Sequence, residues 1–318
     1  MSKTIYSIYD NSPKTEQIST FLGQNSTPKI QLSGLVGSSI SFLIRSLFKK
    51  SELPFLLILN DKEEAAYFLN DLEQMVGDQD VLFYPASFRR PYQIEETDNA
   101  NVLLRAEVLN RINSRKKLSI IVSYPEALFE KVVTRKELDK NTLKVAVGDQ
   151  ISIDFINEVL FEYEFKRVDF ITEPGEFSVR GGIVDVFSFS NDNPYRIEFF
   201  GNEVDSIRTF DVATQLSLEQ QKKIAIIPNV ENKFLQENRE SFLDYISEKT
   251  VLFIQNTEGF LSQLDKQFAK AEEAFEKLSK DIKHATPEQL FLNQEQFIKR
   301  ALDFSVVELA SKPIFKTT

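Results

Sequence analysis

The first third of the chain alternates between short apolar runs and helix-spaced apolar positions. The runs are KIQLSG, PFLLILN, DVLFYP and LSIIVSY. Three of them are nearly continuous in apolar residues, which fits strands covered on both faces in a parallel sheet. Between them, Ile40, Leu43, Ile44, Leu47 and Phe48 share one face of a helix. Asp61 followed by Glu64 has the form of a capping box. It predicts a helix buried through Ala65, Phe68, Leu69, Leu72 and Val76. The expected fold class is α/β.

The middle third changes period. A helical piece, IDFINEVLFEY, precedes VDFITEPGEFSVRG, GIVDVFSF, PYRIEFFG and EVDSIRTFD. Pro-Gly, Gly-Gly, Asn-Asp-Asn-Pro and Gly-Asn break these runs, as turns do in a small antiparallel sheet. The last third holds TVLFIQN and a long helical pattern through Leu261, Leu264, Phe268, Ala271, Phe275 and Leu278. The strand needs a sheet, and the first domain offers one. The expected organisation is therefore 1–142, an inserted domain 143–229, and a helical segment 230–318 that returns to complete the first domain.

Composition narrows the chemistry. There is no Cys, so disulfides and thiolate metal sites are excluded. His284 is the only His, which removes His-based triads and multi-His zinc sites. We expect it to lie exposed on a charged helix. The longest clean apolar run, Phe55–Leu59, is too short to span a bilayer, and the N-terminus lacks an apolar signal segment. The reading is a soluble, cytoplasmic protein with no membrane partner. Net charge is −10, and residues 143–229 carry 8 Lys and Arg against 15 Asp and Glu. Such a domain is a poor platform for phosphate backbones and a better one for a protein.

LSGLVGSSISFLIRSLF raises the question of a phosphate-binding loop. Laid over G-x-x-x-x-G-K-[ST], Gly34 takes the first glycine, Ser39 the second, Ile40 the Lys and Ser41 the hydroxyl. Ile40 supplies no charge, and Lys49 and Lys50 lie more than two helical turns away. TVLFIQN ends in Gln255-Asn256, where a motor would present an acidic pair. We read a degenerate loop: no nucleotide site, no metal, no catalytic residue. Residual anion binding at the helix start is the weaker alternative.

The densest signal lies in residues 173–217. In PYRIEFFGNEV, strand alternation puts Tyr195, Ile197 and Phe199 on one face, and Arg196, Glu198 and Phe200 on the other. The second set places an Arg and a Phe together in or near water, a combination interface hot spots favour. Arg180 precedes Gly181-Gly182, a turn that would leave its side chain free to reach out. A plain surface fits the same residues: Arg196 paired with Glu198 or Glu203, and Phe200 packed under a loop. The basic run Arg111–Lys117 reads as a solvated helix end, and Glu95-Glu96 as a polar loop without partners.

GEFSVRGGIVDVF followed by YRIEFFGNEVDSIRTFD resembles the motif shared by bacterial transcription-repair coupling factors and UvrB excinucleases. The likeness extends over nearly the whole chain, including the altered loop after IQLSG and the Tyr84-Pro85 element. Coupling factors fit better. UvrB proteins keep an intact phosphate loop and a long aromatic hairpin for DNA, and the segment FYPASFRRPYQIEETDNANVLL is too short for that hairpin.

The resemblance implies an N-terminal fragment of a coupling factor. Its first domain would be a RecA/P-loop-like parallel sheet with no enzymatic role and no cofactor. Its inserted antiparallel β domain would recruit the damage-recognition protein UvrA to stalled transcription complexes in nucleotide excision repair. The family's contact residues carry over to Arg180, Arg196 and Phe200, with Glu198 and Tyr195 as helpers. RNA polymerase and DNA would be met through regions absent from this chain. In the family, a C-terminal domain masks the UvrA surface. The alternative is a DNA-binding or nucleotide-hydrolysing protein like UvrB.

Overall fold

The computed structural model describes residues 2–24, 26–87, 91–92, 99–114, 118–189, 191–230, 239–278 and 284–315. Glu95-Glu96 and the basic residues 115–117 lie outside them. The chain divides into two compact units. The first takes Met1–Glu96, Arg111–Val132 and Arg239–Thr318, and the second takes Thr97–Asn110 and Val133–Asn238. In chain order the strands are β1 (Lys29–Leu32), β2 (Phe55–Ile58), β3 (Val81–Phe83), β4 (Ile120–Ser123), β5 (Val132–Val133), β6 (Leu143–Ala146), β7 (Lys166–Arg167), β8 (Glu176–Arg180), β9 (Ile183–Val186), β10 (Tyr195–Phe200), β11 (Glu203–Phe210), β12 (Ser217–Gln220), β13 (Lys223–Ile226), β14 (Arg239–Glu240), β15 (Val251–Gln255) and β16 (Ser305–Leu309).

The first unit is built on a parallel sheet ordered β1-β16-β15-β2-β4-β3. All four residues of β2 and of β4 are buried, as are Val251–Ile254 of β15, because helices cover both faces. Helix Ser39–Ser51 turns Ile40, Leu43, Ile44 and Leu47 inward and leaves Phe48 half-buried. Helix Lys62–Val76 buries Ala65, Phe68 and Leu72. Asp61 caps its start by accepting from the Glu64 amide at 2.8 Å. The reciprocal half of the expected capping box is absent. The Glu64 carboxylate instead accepts from Asn60 Nδ2 and Gln255 Nε2. Helix Thr257–Glu276 buries Phe260, Leu261, Leu264 and Ala271. Buried Tyr84 stacks on Phe242 with centroids 4.1 Å apart.

His284 departs from expectation. It sits half-buried in irregular backbone ahead of helix Pro287–Leu290, not exposed on a helix. The Tyr92 hydroxyl donates to the neighbouring Ala285 carbonyl at 2.8 Å, and its ring packs edge-on to Phe291, which draws this segment inward.

The second unit carries a separate sheet ordered β12-β11-β10-β9-β8-β7. Every pairing is antiparallel except β7 with β8. A small antiparallel pair, β6 with β13, accompanies it. One face holds Phe177, Val184, Val186, Ile197 and Ile207, all buried. Phe161 of helix Ile153–Glu162 meets Phe177 edge-on at 5.3 Å, which places that helix on this face. The opposite face is polar. Among the described residues no helix is long and apolar enough to cross a membrane.

Candidate functional site

After β1, the Ser38, Ser39 and Ser41 hydroxyls are all used internally, Ser38 with the Tyr67 hydroxyl at 3.0 Å. Gly34 and Gly37 take positive φ, 82° and 54°, and helix Ser39–Ser51 follows. Ile40, at the position a phosphate-binding Lys would hold, is only 5% exposed and belongs to the core. Ser41 is fully enclosed and its hydroxyl donates to Asp71 Oδ2 at 3.2 Å. The Ser39 hydroxyl donates to the Val36 carbonyl and accepts from the Val36 amide. At the end of β15, the Gln255 amide donates to Glu64 Oε1 at 2.8 Å. Asn256 takes left-handed backbone, φ 51°, and caps the next helix by accepting from the Gly259 amide.

The polar face of the second unit is organised around a buried carboxylate. Antiparallel register sets Ser178 opposite Asp185, Asp185 opposite Arg196, and Arg196 opposite Arg208. The Asp185 side chain is 2% exposed. Arg196 grips it with two bonds, Nε to Oδ1 at 2.7 Å and Nη2 to Oδ2 at 2.8 Å. Arg180 adds a third from Nη2 at 2.6 Å. Paired forks of this kind are the strong form of ion pair. The bonds to Asp185 hold the Arg196 guanidinium even more firmly protonated than usual, against the opposing effect of burial. Arg196 also lies 4.3 Å over the Phe210 ring and donates to Gln215 Oε1. Phe210 forms a small apolar cluster with Ile171 and Phe187.

Strand alternation does put Arg196, Glu198 and Phe200 on this face, but their surroundings differ from the expectation. Arg196 reaches water only in part: its side chain is 14% exposed, half-enclosed by Asp185 and Phe210. Neither expected partner holds it. Glu198 is bound by Arg208 and Ser206, and Glu203 accepts from Gln150. Arg180 is not free either: its side chain is 43% exposed while paired to Asp185. Phe200 is not packed under a loop but stands 83% exposed at the end of β10. Tyr195 is buried and faces the core.

Two residues at this face escape the sequence pattern. Asp185 lies inside an apolar strand, IVDV, and alternation gives it the polar face. An acid on that face, one strand away from an Arg, is the available signal. Phe170, 64% exposed with Arg180 5.3 Å from its ring, leaves no pattern to read.

Comparison with known proteins places the chain. Residues 143–231 match the UvrB interaction domain. The chain is 33% identical over 198 residues to the transcription-repair-coupling factor of Bacillus subtilis (strain 168), a match covering 62% of this chain and 17% of the relative. It is 28% identical over 217 residues to that of Myxococcus xanthus, covering 66% and 18%. With that of Escherichia coli (strain K12), identity is 27% over 197 residues, covering 62% and 17%. The chain thus spans less than a fifth of each of these relatives. Residues 143–231 thus match the UvrB interaction domain, and about two thirds of the chain is similar to part of the transcription-repair-coupling factors.

Proposed function

We propose that the chain is a protein-interaction module of transcription-coupled nucleotide excision repair. The polar face of its second unit docks UvrA, the damage-recognition protein. Phe200 is the observation that carries this reading. A large ring 83% exposed, on the same sheet face as a guanidinium cluster, has the residue types and setting of an interface anchor. Arg180 offers donors at the surface, while Arg196 and Asp185 set its position from beneath. The first unit acts as a RecA-like scaffold whose phosphate-loop positions have become core and capping residues, so it has no enzymatic role and no cofactor. Contacts with RNA polymerase and DNA belong to other parts of the coupling factor.

Binding of purified UvrA to the immobilised chain tests this. The double variant Arg180→Ala/Phe200→Ala is expected to bind at least about thirtyfold more weakly, the equivalent of about 2 kcal/mol, while remaining folded with a melting point lowered only by loss of the Arg180–Asp185 pair. An unchanged Kd in the folded double variant would overturn the reading. Steeply salt-dependent binding of duplex DNA by the chain would favour the UvrB-like, DNA-binding alternative instead.

A further inference from the structure

The turn that joins β11 to β12 holds a backbone outlier. Gln215 is a non-glycine residue in the left-handed region, at φ 60°, a conformation that L side chains adopt at a cost. Ala213, Thr214 and Leu216 around it are exposed, while Gln215 is half-buried. The turn is tied from within. Asp211 Oδ1 accepts from the Thr214 amide and hydroxyl, each at 2.7 Å. The Gln215 amide donates to the Asp211 carbonyl, and the Asp211 amide donates to the Leu216 carbonyl. Val212 packs on the Ile171–Phe187–Phe210 cluster.

The side chain of Gln215 bridges this turn to the polar face. Its Nε2 donates to the Val212 carbonyl at 2.8 Å, and its Oε1 accepts from Arg196 Nη2 at 3.3 Å. A guanidinium has five N–H donors, one on Nε and two on each Nη. Asp185 takes Nε and one hydrogen of Nη2, and Gln215 takes the other. The Phe210 ring closes one face of the group at 4.3 Å. The two donors on Nη1 bond to none of the described residues, and Nη1 is not sealed from solvent. A glycine would sit in this turn without strain, but it could make neither side-chain bond. Backbone strain kept beside a recognition face points to the side chain it presents.

We propose that Gln215 is a positioning residue of the docking face. Together with Asp185 it occupies every donor of Nε and Nη2, and so fixes the plane of the Arg196 guanidinium. Nη1 is then the edge turned to the partner, where its two donors meet a carboxylate oxygen of UvrA. This rests on the docking reading above, and it adds a residue that acts on the partner only through Arg196.

The test measures UvrA binding and melting point for the full chain as wild type, Gln215→Gly, Gln215→Ala, Phe200→Ala and Arg196→Ala, and for the double variant Gln215→Gly/Arg196→Ala. Gly releases the backbone strain and Ala keeps it, so the Gly variant should melt above the Ala variant. Both lack the amide, so both should bind about tenfold more weakly than wild type, by the same factor despite unequal stability. In the Arg196→Ala background, Gln215→Gly should weaken binding no further. Affinity that tracks the melting point, or a loss that adds fully to that of Arg196→Ala, would overturn the positioning role. Normal binding by both Gln215 variants, with Phe200→Ala impaired, would overturn it too and leave the docking face intact. No binding by wild type, or normal binding by every variant, would remove both the positioning role and the docking reading.

Discussion

The loop after β1 and the polar face of the second unit's sheet both gather the polar positions of a motif, and they use them in opposite ways. At the loop, Ile40 faces the core and Ser41 serves Asp71, and at the end of β15 Asn256 caps a helix. The Ser38, Ser39 and Ser41 hydroxyls are all spent inside the unit. At the sheet face, Asp185 is shared by two guanidiniums, one of them 43% exposed at the surface, while Phe200 stands clear of the strand end. A polar group that is satisfied internally stabilises a fold, and one held in place but left partly open can recognise something.

Restoring the lost Lys puts the first half of that comparison at greatest risk. Ile40→Lys should cost about 3 kcal/mol or more in urea unfolding, because an ammonium would enter a core position. It should gain no affinity for an ATP analogue. A stable variant that binds nucleotide would break the comparison. Asp185→Ala comes next. It leaves the half-enclosed Arg196 without its carboxylate, and should cost about 3 kcal/mol of stability together with weaker UvrA binding. A variant of wild-type stability would show that the trio does not organise this face.

Phe200→Ala should cost about 2 kcal/mol of UvrA binding and leave stability unchanged, since the ring has little to lose on the protein side. Arg196→Ala should lose in both measurements, because this side chain is enclosed. A purely binding effect would mean that Arg196 swings out to the partner. Gly259→Ala sharpens the other region. Its new Cβ would fall 2.3 Å from Asn256 Nδ2 and disturb the cap, costing about 1 kcal/mol of stability.

The smallest effect concerns acid. Hydrogen bonds from Thr214, side chain first and then backbone, hold Asp211 below the usual carboxylate range. A depressed folded pKa stabilises the turn above the unfolded pKa, and that support is lost as pH falls through the lower folded value. The turn leading to Gln215, and so to Arg196, should loosen only below roughly pH 4. The Thr214 amide resonance, followed by NMR, checks this. A shift centred near neutral pH would contradict it.

Much of the fold is legible in the sequence because burial leaves a simple mark. Phe55–Leu59 and Val251–Ile254 are apolar throughout since each strand is covered on both faces. Alternation likewise assigns Arg196 and Phe200 to one face of β10. What alternation cannot supply is the neighbour across the sheet. Asp185 lies eleven residues before Arg196, and only the register of two antiparallel strands brings them together. Nor does it foresee that Phe210 from β11 lies under the guanidinium. The Asp61–Glu64 pattern rests on spacing alone. Glu64 turns instead to Gln255, 191 residues away, which no local rule encodes.

Amide hydrogen exchange of the chain with and without saturating UvrA tests the central claim most directly. Protection is predicted in β8 through β10, with residues 34–41 unchanged. Protection centred on residues 34–41, or none along β8 to β10, would contradict the account.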